Sequence, residues 1–161
     1  MKRFEIRRAA AGDETALRSL RIQALSDAPS AFGSTLDREL ARTPAEWTSW
    51  LSPNAIFFAE SEAGAAGMAA GVRDAQTEGL VWLMAMWLHP DLRGSGAADR
   101  LVETVLSWSA EVGGERVRLD VVQTNAAAIR LYERHGFRRT GHAVTRARDG
   151  ATEMRMERVL P

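Results

Sequence analysis

The chain has 161 residues, of which 45% are hydrophobic and 26% are charged, and its 21 basic residues balance its 21 acidic residues. This composition is typical of a globular domain, and the even charge balance does not favour a nucleic-acid-binding protein or a polybasic membrane surface. The chain contains no cysteine, which excludes disulfides, thiolate metal sites and a covalent acyl-cysteine intermediate. We therefore expect one domain over residues 1–161, with enough chain to bury a sizeable core.

The N-terminal residues are charged and lack the apolar stretch of a signal peptide. The longest apolar run, from Leu80 to Leu88, is shorter than the roughly 20 residues that cross a membrane as a helix. Together with the absence of cysteine, these features predict a soluble, cytoplasmic protein with no membrane partner. The arginines between positions 138 and 148 are expected to form a solvated face.

The first half of the chain shows the periodicity of two helices and three strands. The predicted segments are a strand at 4–8, a helix after Asp13, a short helix from Pro44 to Leu51, and a hairpin with strands at 55–60 and 67–73. Asp13 is expected to cap the first helix with its side chain, and residues 27–33 break that helix. Thr43-Pro44-Ala45-Glu46 is a capping box that opens the second helix, whose Trp47 and Trp50 are expected in the core.

The second half alternates strands and helices. The predicted segments are a central strand at 79–89, a helix at 96–112, a strand at 116–122, a helix at 125–135, and strands near 138–145 and 152–159. The complete order, β-α-α-β-β-β-α-β-α-β-β, predicts a mixed α/β domain. In this domain about four helices flank a twisted, mostly antiparallel sheet of six or seven strands.

A glycine-rich turn follows the predicted central strand and leads into a helix. Such a turn directs backbone N–H groups to the helix N-terminus, where the helix dipole also favours an anion, so we expect a phosphate-bearing ligand there. A Walker loop does not fit because Gly96 is followed by alanine, and a dinucleotide fingerprint does not fit because position 99 is aspartate. The pattern Arg-x-x-Gly-x-Gly/Ala is satisfied by Arg93, Gly96 and Ala98.

A second motif lies further along the chain. Residues 125–137 match N-x-x-A-x-x-L-Y-x-x-x-G-F at every defined position. The two motifs, in this order and at this separation, resemble those of the GNAT superfamily of N-acetyltransferases. The resemblance covers residues 80–141 and extends more loosely to residues 27–34. It implies a GNAT-like fold, an N-acetyltransferase activity and acetyl-CoA as co-substrate.

The resemblance also implies where acetyl-CoA lies. Backbone amides from Arg93 to Ala98 would hold the pyrophosphate, with the Arg93 side chain adding charge nearby and two glycines allowing close approach. The end of the central strand would pair with pantetheine as an added strand does, in a gap where this strand diverges from the next. Asn125 would contact the pantetheine arm or cap its helix. The residues expected at the cofactor are Met86, Trp87, Leu88, Arg93, Gly94, Ser95, Gly96, Ala97, Ala98, Asn125, Ala128 and Tyr132.

Acetyl transfer to an amine requires a polarised thioester, a donor for the oxyanion and a proton for the departing thiolate. Without a cysteine, direct attack by the amine is the expected mechanism. The backbone N–H of Leu88 is the candidate oxyanion donor. Tyr132, the only tyrosine in the chain, is the candidate general acid for the thiolate of coenzyme A. The alternative is that Tyr132 packs in the core and makes a structural hydrogen bond.

The sequence leaves the general base open, because residues 81–88 contain no acid although many members of this family carry one there. The candidate carboxylates are Asp120, which we place with the catalytic residues, and Glu78, Asp37 and Glu39. Each has a surface or ion-pairing role as its alternative, and a water relay could also remove the proton. We expect His89 to be structural and His135 and His142 to be exposed, and their spacing predicts no metal site.

The acceptor pocket is expected between the loop at Phe32 and Gly33, the second helix, and the strand that carries Trp82 and Trp87. Aromatic walls would suit a hydrophobic amine or hold a cation. We expect an N-acetyltransferase acting on a small primary amine such as an amino acid, a polyamine or an amine antibiotic. Acetylation of a protein N-terminus or lysine, and acyl-CoA sensing without catalysis, are the alternatives. A homodimer formed through the C-terminal strands or the N-terminal helices is also expected.

Overall fold

The computed structural model describes residues 3–161, which form five α-helices and seven β-strands. The helices are α1 (Glu14–Asp27), α2 (Leu36–Leu40), α3 (Pro44–Leu51), α4 (Ala97–Glu111) and α5 (Ala126–Arg134). The strands are β1 (Glu5–Arg8), β2 (Ala55–Ser61), β3 (Gly64–Arg73), β4 (Leu80–Leu88), β5 (Arg116–Val122), β6 (Arg138–Thr145) and β7 (Thr152–Val159). No helix within these residues is long and apolar enough to cross a membrane.

The seven strands form one sheet in the order β1-β2-β3-β4-β5-β7-β6. Neighbouring strands are antiparallel throughout, except that β4 and β5 run parallel. The mixed α/β fold and the mostly antiparallel sheet predicted from the sequence are therefore confirmed.

Each face of the sheet carries its own hydrophobic core. On one face, α4 buries Leu101, Val102 and Val105, whose spacing places them on one side of the helix. On the other face, α1 and α3 pack against β2 and β3, and Trp47 is 2% exposed. Trp50 packs against the same cluster, so both tryptophans of α3 belong to the core as expected.

Two local predictions are wrong. Asp13 lies at the N-cap position of α1, but its carboxylate accepts hydrogen bonds from the Arg7 guanidinium and the Ala10 N–H and does not cap the helix. The sequence analysis also missed α2, whose start is marked by the Thr35 hydroxyl accepting the Arg38 N–H at 3.2 Å. Both differences arise because a short polar side chain can form hydrogen bonds with any of several nearby backbone or side-chain groups, and the sequence does not show which of these bonds forms.

Candidate active site

The parallel strands β4 and β5 separate part-way along the sheet. They pair only where residues 80–82 face residues 116–118, whereas β5 continues to pair with β7 as far as Val122. On its other side, β4 stays paired with β3 as far as Leu88. The second half of β4 therefore faces a gap, and the free edge of a strand can bind an extended ligand as an added strand.

A β-bulge changes the course of β4 beside this gap. The β3–β4 register shifts between Met68 and Ala70, where one residue of β3 faces two residues of β4. Ala85, within the bulge, has a φ of 57°, in the left-handed region that residues other than glycine seldom adopt. Such a conformation costs about 1–3 kcal/mol and is held by its surroundings, commonly at ligand-binding sites. The bulge reorients the backbone of β4 at the point where the gap opens.

The end of β4 presents its backbone to the gap. The His89 N–H donates to the Ala66 carbonyl at 2.7 Å, across the antiparallel pair with β3. Because backbone groups alternate sides along a strand, the N–H and C=O of Leu88 point away from β3 and towards the gap. The Leu88 carbonyl accepts hydrogen bonds from the Arg93 guanidinium at 3.1 and 3.2 Å. The Leu88 N–H thus has the orientation required of a donor to a ligand in the gap.

The Arg93 side chain joins the end of β4 to the end of α1. Besides Leu88, it contacts Asp27 Oδ2 at 2.5 Å, and the same oxygen accepts the Trp87 indole N–H at 3.0 Å. These hydrogen bonds, from Trp87 first and Arg93 second, lower the pKa of the Asp27 carboxyl below its usual value. The Arg93 guanidinium is thus paired with a carboxylate on another element, and its contribution of charge to a bound phosphate stays a prediction.

The glycine turn between β4 and α4 depends on two left-handed residues. Gly94 and Gly96 have φ values of 77° and 89°, which glycine adopts without a steric penalty. A Cβ placed on either residue would meet no protein atom within 4 Å. The protein itself therefore needs glycine here for the backbone conformation, and the open space beside the turn is free for a ligand.

The amides of this turn alternate between protein acceptors and open space. The amides that donate within the protein are those of Arg93, Ser95 and Ala97. Among residues 3–161, the N–H groups of Gly94, Gly96 and Ala98 have no acceptor, and they lie at the N-terminus of α4. Free amides at a helix N-terminus are suited to bind an anion such as a pyrophosphate.

Tyr132 lies on α5 with its ring buried and its hydroxyl unbonded. The residue is 6% exposed, and its ring packs edge-on against Phe137 with the centroids 5.9 Å apart. No hydrogen bond of the phenol is found within residues 3–161, and Tyr132 lines a cavity that opens beside β4. Burial raises the pKa of the Tyr132 phenol above its ordinary value, so it is protonated at neutral pH. The structural hydrogen bond considered as an alternative is not formed.

The cavity beside Tyr132 measures about 250 Å³ and lies between the gap and the loop after α1. Among its lining residues are Phe32, Gly33, Trp82, Met86, Asp120 and Asn125. The sequence analysis assigned these residues separately to the acceptor, the cofactor or catalysis, and the fold brings them together. Of the two roles expected for Asn125, the structure shows the cap, because its Oδ1 accepts the Ala128 N–H at 3.2 Å.

Arginines hold both carboxylates that line this cavity. Asp120 on β5 is paired with Arg155 on β7 at 3.0 Å, and the Arg155 guanidinium lies 4.8 Å from the centre of the Trp82 ring. Glu153, which the sequence analysis missed, contacts Arg146 at 3.1 Å. Glu153 follows a surface turn, and no local pattern indicates that it lines the cavity.

Comparison with known proteins identifies the family. The model of the acetyltransferase (GNAT) family matches residues 21–137 of this chain. The chain belongs to the GNAT acetyltransferase family. It is similar to an uncharacterized N-acetyltransferase of Mycobacterium tuberculosis, with 33% identity over 116 residues that cover 71% of this chain and 72% of that protein.

A mycothiol acetyltransferase of Thermobispora bispora is a longer GNAT relative. The two are 32% identical over 131 residues, which cover 79% of this chain and 43% of that protein. The chain therefore spans less than half the length of this relative.

Solved GNAT structures share the fold over nearly the whole chain. A putative acetyltransferase of Salmonella typhimurium, solved with its cofactor acetyl-CoA, has a TM-score of 0.83 at 18% identity, covering 99% of this chain and 95% of that chain. A GNAT acetyltransferase of Streptococcus pneumoniae has a TM-score of 0.85 at 20% identity, covering 99% of this chain and 100% of that chain. The GNAT-like fold implied by the two sequence motifs is confirmed.

Trp87 does not fit its predicted place in the GNAT acceptor pocket. It is 7% exposed, packs in the core beneath α1 and donates its indole N–H to Asp27. Trp82 does line the cavity, and its indole N–H is bound to Asp74 at 2.9 Å. Both tryptophans lie on the sheet face that carries α1, because their β3 partners, Val72 and Met68, pack in the core there. Their positions along β4, on either side of the bulge, therefore distinguish the one that lines the cavity from the one that does not.

The other candidate bases lie away from the cavity. Glu39 is 0% exposed and forms an ion pair with Arg21 at 2.8 Å and a second pair with Arg42. Glu78 lines a separate cleft at the opposite end of β4, and Asp37 lies on α2 outside the cavity lining. Of the four carboxylates predicted, the cavity therefore contains Asp120 alone.

The histidine predictions are correct for two residues and wrong for one. The His89 ring accepts the Asp91 N–H at 3.0 Å, which is a structural role, and His142 is exposed. His135 was expected to be exposed, but its side chain is 12% exposed and its Nε2 lies 2.8 Å from Asp99. The contact joins α5 to the first turn of α4, and helix packing of this kind cannot be inferred from local sequence.

Proposed function

We propose that this chain transfers the acetyl group of acetyl-CoA to the primary amine of a small molecule. The gap beside β4 carries this proposal, because it joins an anion site at one end to a cavity with a buried phenol at the other. A ligand with a pyrophosphate, an extended amide-bearing arm and a thioester matches these features in order. The acetyl-CoA-bound relative of the same fold supports this choice of ligand.

The proposed binding mode uses backbone groups more than side chains. The free amides of Gly94, Gly96 and Ala98 hold the pyrophosphate, and the open edge of β4 pairs with the amides of pantetheine. Met86 lines the cavity where the arm enters it. Backbone recognition of this kind depends on conformation, which explains why glycines and a bulge, and not a set of charged side chains, define the proposed site.

The proposed reaction is direct attack by the amine on the thioester carbon, with formation of a C–N bond and cleavage of the C–S bond. The Leu88 N–H donates to the thioester oxygen as negative charge develops, a contribution of about 3–4 kcal/mol for a well-placed donor. Asp120 accepts the proton that the amine loses. Tyr132 donates a proton to the sulfur, and solvent then restores the proton to the phenol.

The size of the cavity favours a small acceptor. A volume of about 250 Å³ lies just below the usual range of roughly 300–1,000 Å³ for small-molecule sites. An extended peptide needs an open groove, whereas Phe32 and Gly33 close one side of this cavity. We therefore place a small amine ahead of a protein N-terminus or a lysine side chain as the acceptor.

Release of free thiol from acetyl-CoA across a panel of amino acids, polyamines, amine antibiotics and short peptides tests the proposal. The chain has no cysteine, so a thiol reagent reports only coenzyme A. Transfer to at least one small amine is the expected result, and transfer only to peptides would contradict the choice of acceptor. Tight binding of coenzyme A in calorimetry, with no transfer to any amine, would instead indicate a sensor.

A further inference from the structure

Two arginines of the β6–β7 turn donate to carbonyl oxygens of the loop after α1. Arg146 reaches the Ser30 and Phe32 carbonyls at 2.5 and 2.6 Å. Arg148 reaches the Phe32 carbonyl at 2.7 Å and the Gly33 carbonyl at 2.9 Å. These contacts join segments that lie more than a hundred residues apart in the chain. We call Arg146 and Arg148 the arginine clasp.

The turn that carries the arginine clasp is itself well braced. The Arg146 N–H donates to the Ala151 carbonyl and the Gly150 N–H donates to the Arg146 carbonyl, both at 2.8 Å. The Arg146 side chain is 11% exposed and is held by the carboxylates of Asp149 and Glu153 at 3.0 and 3.1 Å. The Arg146 guanidinium is therefore fixed in direction before it meets the loop.

The loop receives little other support from the backbone. Within residues 29–34, and counting acceptors only among the described residues, the remaining backbone hydrogen bond joins the Ala31 N–H to the Ala28 carbonyl. The Phe32 side chain is buried in the core beneath α1, and its ring lies 5.6 Å from the Arg21 guanidinium. Apart from this one buried side chain and the Ala31 hydrogen bond, the backbone carbonyls of the loop are held by the arginine clasp.

The same loop forms a wall of the cavity that we assign to the acceptor. Ala31, Phe32 and Gly33 line the cavity opposite β4, and Glu153, which braces Arg146, also lines it. A loop held by charge-assisted hydrogen bonds fixes the width of the cavity, whereas a released loop would widen it.

We propose that the arginine clasp positions the 29–34 loop as a wall of the acceptor cavity and so limits the size of the amine that is accepted. This inference rests on the proposed function, since it concerns the acceptor half of that site. The arginines are positioning residues, because they act through the loop and not on the reacting atoms. The acceptor they favour is a compact amine that fits the closed cavity.

Steady-state kinetics of Arg148→Gln tests the inference, because this side chain is partly exposed and its loss is tolerable for folding. We expect the KM for the preferred small amine to rise about ten-fold, because the variant loses charge-assisted hydrogen bonds that hold one wall of the site. The KM for acetyl-CoA should remain within about two-fold, since the anion site lies on a different element. Amines too bulky for the wild type should become acceptors.

Matched variants separate positioning from general destabilisation. Arg139→Gln removes an exposed arginine from the same hairpin, at a residue with no side-chain contact to the loop, and should leave both KM values unchanged. Arg148→Lys keeps a charged hydrogen-bond donor, so its KM for the small amine should lie between the values of the wild type and of Arg148→Gln. Arg146→Gln, at the more buried member, should show the same KM pattern as Arg148→Gln at a temperature below its unfolding midpoint.

Limited proteolysis tests the arginine clasp without any acceptor. We expect chymotrypsin to cleave after Phe32 about ten-fold faster in Arg148→Gln than in the wild type or Arg139→Gln, since the loop backbone is freed. A wild type that transfers to no amine would overturn the proposed function, while faster cleavage would still show that the clasp holds the loop. Unchanged cleavage, or an unchanged acceptor KM in an active enzyme, would overturn this inference.

Discussion

Tyr132 combines a packed ring with a position in the lining of the candidate site. Because the ring packs on Phe137 and the hydroxyl has no protein partner in the described chain, Tyr132→Phe should leave the free energy of unfolding nearly unchanged. Turnover should fall by about 10²-fold or more if the phenol protonates the departing sulfur. Thiol-release kinetics measures the turnover, and calorimetry with coenzyme A checks that binding is retained. Equal turnover in the variant would remove Tyr132 from the mechanism.

Asp120 is the one candidate base from the sequence analysis that lines the cavity. Asp120→Asn keeps the size of the side chain and should lower kcat by about 10²-fold or more, because the amide cannot accept the proton of the amine. Glu157→Gln is a matched control, since Glu157 also forms an ion pair between β7 and β5, with Arg118, but does not line the cavity. Similar losses in the two variants would assign Asp120 a structural role and would favour a water relay.

At the scale of elements, the turn between β4 and α4 depends on backbone conformation. Gly96→Ala places a Cβ in a left-handed residue beside the free amides, so it should weaken coenzyme A binding by ten-fold or more, on the order of 1–2 kcal/mol. Gly141→Ala is a close control, with a φ of 90° against 89° and equally open surroundings, but on β6. Calorimetry on both variants should show a loss of binding for Gly96→Ala alone, and an equal loss for both would contradict the proposed pyrophosphate site.

The predicted elements were most accurate where one helix or strand carries its own pattern. Helices were predicted at 96–112 and at 125–135, and both segments are helical, because the helical period is carried by neighbouring residues of the chain. The burial of Trp87 in the core beneath α1 could not be predicted in this way. Its side chain is directed by a bulge between two strands, and the bulge exists only in the paired sheet.

At the scale of the whole molecule, buried ion pairs link stability to pH. Burial alone would raise the pKa of the Glu39 carboxyl, but hydrogen bonds from Arg42 and Arg21 outweigh it and lower the pKa below the usual value. A lowered pKa means that this stabilisation is present above the unfolded-state pKa of about 4.3 and is lost as the pH falls through the folded-state value. The pKa is also lowered for four aspartate carboxyls, those of Asp13, Asp27, Asp99 and Asp149.

We therefore expect the free energy of unfolding to fall as the pH drops below about 4.5. Glu39→Gln should lower it by about 3–5 kcal/mol at neutral pH, because two arginines are left near a neutral group and Arg21 is buried. The same variant should also lose less stability on acidification, since one titrating group has been removed. Urea denaturation of both proteins from pH 7 to pH 3.5 measures both effects, and parallel curves would show that Glu39 does not contribute.

We propose that the chain forms a homodimer through its C-terminal strands. Val144 on the edge strand β6 and Val159 at the end of β7 are 52% and 72% exposed, and exposed apolar side chains near a sheet edge favour contact with a second copy. Light scattering should give twice the mass of one chain. A single species of 17.7 kDa would contradict the proposal.

The sequence by itself determined the family, the order of the elements other than α2, the glycine turn and the candidate phenol, because each depends on residues that are close together in the chain. A left-handed turn and an amphipathic period are local properties, whereas the missing Asp13 cap shows that a side-chain cap also depends on its surroundings. Only the tertiary structure decided that Arg93 pairs with Asp27, that Asp120 reaches the cavity and that Arg146 and Arg148 hold the loop at Phe32. These contacts join segments that are distant in the chain. Which residues meet depends on how the sheet packs and where β4 and β5 separate, and no local sequence pattern contains that information.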